Sequence, residues 1–485
     1  MERSVPVGSG KAAPAFNPFI VTTSLDKTDA QTRKLIRSHV MRGKNKGKSM
    51  PRKGKSRGAD VNADASLQAS HQAALRPHEE EEEDGESGWE HWALTSPRKI
   101  AAELSLFRYT QELNHAQKEL VFRAFTVVKP ATYAVQLFGS DDHASGMFCF
   151  NGLSTHPAMV PSLLFTAQAF RDISLGTPLG SLAHTHLAKT LRLLQNSLHD
   201  ETEATSLSTM VVVSSLATAS IILGDLETAA KHLDGLYKIV EVRGGLESLG
   251  PLSMITYKAL TLDLGLAMGV GTKPRFAQTQ SSWSPQIACG PSGRRYSELD
   301  VLQPRPDPRL LNIWADLREF SRRANEATEQ RKQMEAGLFY HLSTSVLYRL
   351  LDLSFEPRSL SETLRLCILA YTKTLLIRVP GLGRKMTFLT RQLEVALRPL
   401  PSLGHEGSPF LFWALMISTI SIFEGLDEDW VCQGLLDLVA DLGLKTWLEA
   451  KSVLKGFLWV DMLQDQPAKF IFKTVSATST TGSRP

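Results

Sequence analysis

The hydrophobic pattern between residues 207 and 276 describes a long uncharged apolar segment, an amphipathic helix and a second apolar helix. The first segment extends back to Ala204, giving 21 residues without a charge, enough by length alone to cross a bilayer. It carries eight Ser or Thr residues and follows an acidic, His-containing segment, so the pattern predicts a buried core helix rather than a membrane span. In the next helix, Leu226, Ala229, Ala230, Leu233, Tyr237 and Val240 recur at i, i+3, i+4, i+7, i+11 and i+14, one stripe of a 3.6-residue period. Asp225 and Glu227 at its start and Lys238 and Arg243 near its end suit the helix dipole. Gly244 or Gly245 supplies the left-handed residue that ends it, with Leu246 folding back on the last turn. The second apolar helix stops near Lys273-Pro274-Arg275-Phe276, and the downstream chain is expected to pack on this pair.

Elsewhere from residue 96 onward the pattern is also helical. Ser96-Pro97 marks an entry with proline in the first turn. Residues 100–128 carry Leu104, Phe107, Leu113, Leu120 and Phe125 and are expected to stop at Pro130. Pro161 opens a helix through Phe170. Over 182–198, Ala183, Leu187, Thr190, Leu191, Leu194 and Leu198 share one face, opposite Lys189, Arg192, Gln195 and Asn196. Residues 272–308, rich in Pro, Gly, Ser and Gln, read as a long loop. Helices resume at Pro308, over 310–320, a polar 322–335, 338–353, 360–378, 385–398, 409–423, 427–442 and 446–462. In the last of these, Thr446 and Glu449 are spaced for a capping box, and Val453, Leu454, Phe457, Leu458 and Val460 form the apolar face. No strand alternation is found after residue 96. The fold class expected is all-α, a multi-helix array of packed helix hairpins over 96–472, flanked by disordered tails at 1–95 and 473–485, the latter Ser/Thr-rich and frayed.

An apolar content of 42% in 485 residues is enough for a sizeable core, and a formal net charge of +4 says little about partners. The distribution of charge says more. Between residues 30 and 59 stand eleven bases and no acid: Arg33, Lys34, Arg37, Arg42, Lys44, Lys46, Lys48, Arg52, Lys53, Lys55 and Arg57. Between residues 79 and 86 stand seven acids and no base. The basic arm, 30–58, starts as a short helix capped by Thr28 or Asp29 and becomes flexible after Gly43. Its bases suit a nuclear import signal, a salt-sensitive and sequence-blind contact with DNA phosphates, or a solvated tail. The acidic run is a linker or folds back on the arm. No apolar core opens the chain, so no secretory signal is expected.

Candidate chemistry is sparse. Cys149, Cys289, Cys367 and Cys432 lie more than 60 residues apart, without zinc-site spacing, and read as free thiols. Gly43-Lys44-Asn45-Lys46-Gly47-Lys48-Ser49 is one residue short of a phosphate loop and lacks a preceding strand. Asp141-Asp142-His143 could serve an acid–base or metal site, but no further ligand stands near and a polar turn is favoured. His184 and His186, two apart on a helix, point in opposite directions and do not share a metal. No G-x-S-x-G, H-E-x-x-H or G-x-G-x-x-G occurs. An enzyme is therefore not expected, and neither a cofactor nor a metal; an unrecognised enzyme or a small-molecule sensor with a pocket between helices is the reading from another class.

Three stretches together resemble one family. His232-Leu233-Asp234-Gly235-Leu236 through Val240-Glu241-Val242-Arg243-Gly244-Gly245-Leu246-Glu247-Ser248-Leu249-Gly250, closed by Lys273-Pro274-Arg275-Phe276, is similar to a segment of fungal-specific transcription factor regulatory domains. Val453-Leu454-Lys455-Gly456-Phe457-Leu458-Trp459-Val460-Asp461 resembles that family's C-terminal element, and residues 32–44 resemble an N-terminal segment of members without a zinc cluster. The resemblance implies an all-α regulatory domain, nuclear localisation in a filamentous fungus and a role in transcriptional control. The helical domain is then expected to bind protein partners, in the transcription machinery or a zinc-cluster regulator, or a second copy of itself as a homodimer; no membrane partner is expected. Relatives often place six cysteines and two zinc ions ahead of this domain; residues 1–148 here hold no cysteine, so that cluster cannot be built there. DNA contact, if direct, then falls to the arm; a co-regulator scaffold that does not touch DNA is the alternative.

Overall fold

Asn114 opens the first helix by a reciprocal cap: its side chain accepts the Gln117 N–H at 2.9 Å while the Gln117 side chain accepts the Asn114 N–H at 3.1 Å. The computed structural model describes residues 108–133, 152–250, 253–276, 282–288, 297–379, 381–398 and 403–481. All of them fall within one compact unit, Asp84–Pro485. Helix α1 (His115–Arg123) passes through a π-helical turn (Ala124–Val128) into α2 (Lys129–Thr132). Then come α3 (Met159–Ser174), α4 (Ser181–Ser197), α5 (Glu201–Ala204), α6 (Leu207–Leu223) and α7 (Leu226–Val242), and a 3₁₀ turn (Leu246–Leu249) leads to α8 (Met254–Val270). The second half holds α9 (Pro308–Glu329), α10 (Ala336–His341), a second π turn (Leu342–Val346), α11 (Leu347–Asp352), α12 (Leu360–Leu376), α13 (Leu382–Lys385) and α14 (Thr387–Leu397). It ends with α15 (Gly404–Ser418), a third π turn (Thr419–Phe423), α16 (Asp429–Asp441), α17 (Trp447–Lys455) and α18 (Asp461–Thr481).

The protein is all-α; among the described residues the only extended pairing is a single bridge between Tyr133 and Ile377. Consecutive helices pack as hairpins. Helix α6 lies between α3 and α7, α3 also contacts α1 and α4, and α8 covers α6 and α7. Helix α6 is the predicted core helix: Ser206 caps it, Gly224 ends it at φ 74°, and every residue from Thr209 to Ile222 is buried. Two of its hydroxyls are absorbed by its own backbone, Ser215 donating to Val211 O at 2.8 Å and Thr218 to Ser214 O at 2.8 Å, while Thr209 donates back to Glu203 O at 2.6 Å. Helix α7 follows the predicted stripe, with Ala229, Leu233, Leu236 and Val240 buried, and Asp225 acts as its N-cap by accepting the Thr228 N–H at 2.9 Å.

The structure corrects several expectations. The downstream chain does not all pack on residues 207–276: α14 does reach α8 as well as α12, but α15 gathers on α12, itself buried from Glu362 to Leu376, and α16 and α18 attach to α15 and its neighbours. Pro130 does not end its helix. In the π turn the Lys129 N–H bonds Ala124 O, and the slipped register puts Pro130 in the first turn of the next segment, where no N–H is required of it. The buried face of α4 is Ala183, His186, Thr190, Leu194 and Ser197, rotated from the predicted one, so Leu191 and Leu198 are exposed. Residues 310–335 form one continuous helix as far as Glu329. The stretch 446–462 breaks at Gly456, and a separate helix, α18, runs on to Thr481 with Val475 buried, past the position where a frayed tail was expected. Residues 404–423 are the one described stretch long and apolar enough to cross a membrane, and 83% of the window is buried inside the fold.

Candidate functional site

The eleven bases of the arm, Asp141-Asp142-His143, and Cys149 and Cys289 lie outside the described residues. His184 is exposed and His186 buried on the other side of α4, so the two do not converge. Burial, helped by nearby Lys189, pushes the His186 imidazole below its usual pKa. Cys367 is fully buried, which pushes its thiol well above the usual range and makes it inert. Among the described residues no three His, Cys, Asp or Glu side chains cluster as a metal site would need.

The segments that carry the family resemblance form two knots. In the first, the Arg275 guanidinium pairs with Asp234 of α7, and the Arg275 and Phe276 N–H groups donate to the Asp263 carboxylate of α8 at 2.7 and 2.8 Å. Tyr348 of α11 donates to the same carboxylate at 2.8 Å, and the Phe276 ring meets Tyr237 at 5.3 Å. Gly244 and Gly245 both take positive φ, and the Gly245 N–H returns to Val240 O at 2.8 Å. Arg243 donates to Thr205 O at 2.8 Å, tying the end of α7 to the start of α6.

In the second knot, residues 456–460 are a non-helical link between α17 and α18, buried from Phe457 to Val460. Trp413 Nε1 donates to Leu458 O at 2.9 Å, Asn325 Nδ2 to Trp459 O at 2.9 Å, and Trp459 Nε1 to Asp465 at 2.8 Å. Gln464 accepts the Val460 N–H and donates to Thr374 at 2.7 Å. These polar groups are spent on holding the chain to itself.

A small cleft lies between the α1–α2 helix, α3 and α6. Each helix contributes one face: Ala124, Phe125, Val128 and Thr132 from the first, Met159, Leu163 and Thr166 at i, i+4, i+7 from α3, and Val211, Ser215 and Thr218 at the same spacing from α6. Lys129 and Lys258 complete the wall with Tyr133. The free space in it is about 50 Å³, room for a few waters and well below the usual range of ligand clefts. Tyr133 is held on three sides. Its hydroxyl lies 2.8 Å from Thr218 Oγ1, its backbone bridges Ile377 at the end of α12, and its ring meets Tyr257 edge-on at 6.3 Å. The Arg378 N–H donates to Thr132 O at 3.1 Å beside that bridge.

The chemistry of this wall favours holding over reacting. Thr166 donates to Ser162 O at 2.9 Å, and Ser215 and Thr218 donate within α6, so these side chains turn satisfied hydroxyls and bare methylenes to the cleft. No Asp, Glu, His or Cys is among the described residues that line it. Sequence reasoning missed the cleft because each of its faces carries the same i, i+4, i+7 spacing as an ordinary core face.

No family model, no curated protein and no solved structure matches the chain.

Proposed function

We propose that the protein is a nuclear transcription regulator, in which the basic arm provides import and non-specific DNA contact and the helical unit engages protein partners. The observation that carries this reading is the run of eleven Lys and Arg without an acid between residues 30 and 59, joined to an all-α unit in which two of the resembling segments, 232–250 with 273–276 and 453–461, form packing knots. Such an arm neutralises phosphates and releases counterions, so affinity falls steeply with salt and hardly depends on sequence.

A titration of the full chain against duplex DNA at rising salt tests it, beside the chain lacking residues 30–58 and with import of both followed in fungal cells. The expected result is affinity at low salt and nuclear accumulation, both lost on deletion. Absence of affinity at low salt removes the DNA-contact role, and unchanged import of the deleted chain removes the import role. The second reading, a co-regulator that reaches DNA only through a zinc-cluster partner, is favoured by the absence of cysteine from residues 1–148. It predicts import without intrinsic DNA affinity.

A further inference from the structure

Helix α14 buries Leu389, Leu393, Ala396 and Leu397 against the fold and turns its other face outward. On that face Phe388, Arg391, Val395 and Arg398 follow at i, i+3, i+7 and i+10, so they form one ridge about 15 Å long. Phe388 is 41% exposed and Val395 39%. The ridge runs onto the end of α8, where Val270 is 46% exposed. Gly271 ends that helix at φ 77°, and a Cβ there would stand 2.6 Å from the Phe388 ring, so the missing side chain leaves the ring its place. The charge beside this apolar strip is of one sign. Arg391 and Arg398 are exposed and pair with no carboxylate among the described residues, not even with Glu394, the one acid of α14. Lys273, two residues beyond Gly271, is exposed in the same way. Aromatic and arginine side chains are the ones most enriched where proteins meet.

We propose that this ridge docks an acidic amphipathic helix of a partner protein, its apolar side chains on Phe388, Val395 and Val270 and its carboxylates on Arg391 and Arg398. Charge complementarity selects that occupant. A second copy of the same ridge would set arginine against arginine. A nucleic acid would pair its phosphates with the bases but leave the apolar strip without a match. An acidic helix with apolar anchors at i, i+3 or i+4 and i+7 meets both halves at the spacing the ridge presents. The proposal rests on the reading that the helical unit engages protein partners. It is measured apart from DNA and import, so either can fail alone.

Fluorescence anisotropy of the full chain with a labelled peptide of leucine and glutamate tests the proposal. The peptide is about 14 residues long, enough to span the ridge, with its leucines at helical spacing. A second peptide has serine for leucine and the same charge, so the basic arm meets both alike. The leucine peptide is expected to saturate, and the serine peptide to bind at least roughly tenfold more weakly. The double variant Arg391→Glu, Arg398→Glu is expected to weaken the leucine peptide by roughly tenfold, and Phe388→Ser by about as much. Arg171→Glu, an exposed base on α3, is expected to change its affinity less than about twofold. If Phe388→Ser loosens α14, the arginine pair decides, because both side chains are exposed and unpaired. A leucine peptide that does not saturate, or that binds the double variant as tightly as the wild type, overturns the proposal. Equal binding of the serine peptide also overturns it, since that is the plain electrostatic contact a nucleic acid would make.

Discussion

The guanidinium of Arg349 on α11 meets the carboxylate of Asp316 on α9 at 2.6 Å, and neither side chain is exposed. Asp316 also accepts the backbone N–H groups of Gln286, Ile287 and Ala288, at 2.7 to 3.0 Å, while Arg349 donates to Ser284 O at 2.8 Å. A segment inside the long 272–308 loop is thereby seated on two core helices. Removing one partner leaves an uncompensated buried charge, so Arg349→Met is expected to cost about 3–5 kcal/mol. Asp316→Ala should cost more, because three N–H donors lose their acceptor as well. Denaturant unfolding measures both. Equal losses would show that the strap contributes nothing.

Gly235 and Gly245, both within the resembling segment, should respond oppositely to alanine. Gly245 sits at φ 87°, ψ −179°, a conformation closed to residues with a Cβ. Nothing lies within 4 Å of an added Cβ there, so the cost of Gly245→Ala, about 1–3 kcal/mol, is one of backbone alone. Gly235 lies inside α7 with open space beside it. Gly235→Ala is expected to stabilise by about 0.5–1 kcal/mol. Thermal unfolding of the two variants gives the signs.

Burial holds the Asp263 carboxyl above the usual carboxylate range, against the opposing pull of the Arg275 and Phe276 N–H groups and the Tyr348 hydroxyl. The folded chain therefore binds more protons at this site than the unfolded chain does. Its contribution is complete below the unfolded value of about 3.9 and declines as pH rises through the folded value. Asp263→Asn does not titrate and serves as the reference. The unfolding free energy of the wild type minus that of the variant is expected to fall between pH 4 and neutrality. A difference that rises over that interval contradicts the assignment.

Asn325 joins α9 to the link before α18, donating to Trp459 O and accepting the Asp461 N–H, each at 2.9 Å. Asn325→Ala orphans both groups and is expected to cost about 1–3 kcal/mol. The loss should appear first as faster amide exchange in α18, with α6 and α7 unchanged. Uniform exchange throughout would mean that α18 does not open independently.

The period of apolar residues made α6, α7, α12 and the Thr446–Glu449 capping box legible, since these depend on neighbours within a turn or two. What a helix packs against is not local. On α4, Leu191 and Leu198 carry the stronger apolar signal, yet His186 and Thr190 are buried, with the Thr190 hydroxyl returned to His186 O at 2.7 Å. Residues 473–481 look too rich in Ser and Thr to be helical. Propensity is outweighed there by burial of Ile471, Phe472 and Val475 on one face of α18. Asp316 and Arg349 stand 33 residues apart, and a pair so separated leaves no periodic trace. The cleft was invisible for the same reason, whereas the arm was plain from composition alone.

Three times, at Ala124–Val128, Leu342–Val346 and Thr419–Phe423, a helix carries one residue beyond its α-helical register. Deleting a residue from a regular helix swings everything beyond it by about 100° and drags core side chains toward water. In a π turn the same deletion removes the surplus and leaves the flanking faces aligned. The turn at Thr419–Phe423 closes its helix, with Glu424 at φ 50°, so this tolerance belongs to Ala124–Val128 and Leu342–Val346, which have helix on both sides. These turns are the places where the length of this array is negotiable without a loop.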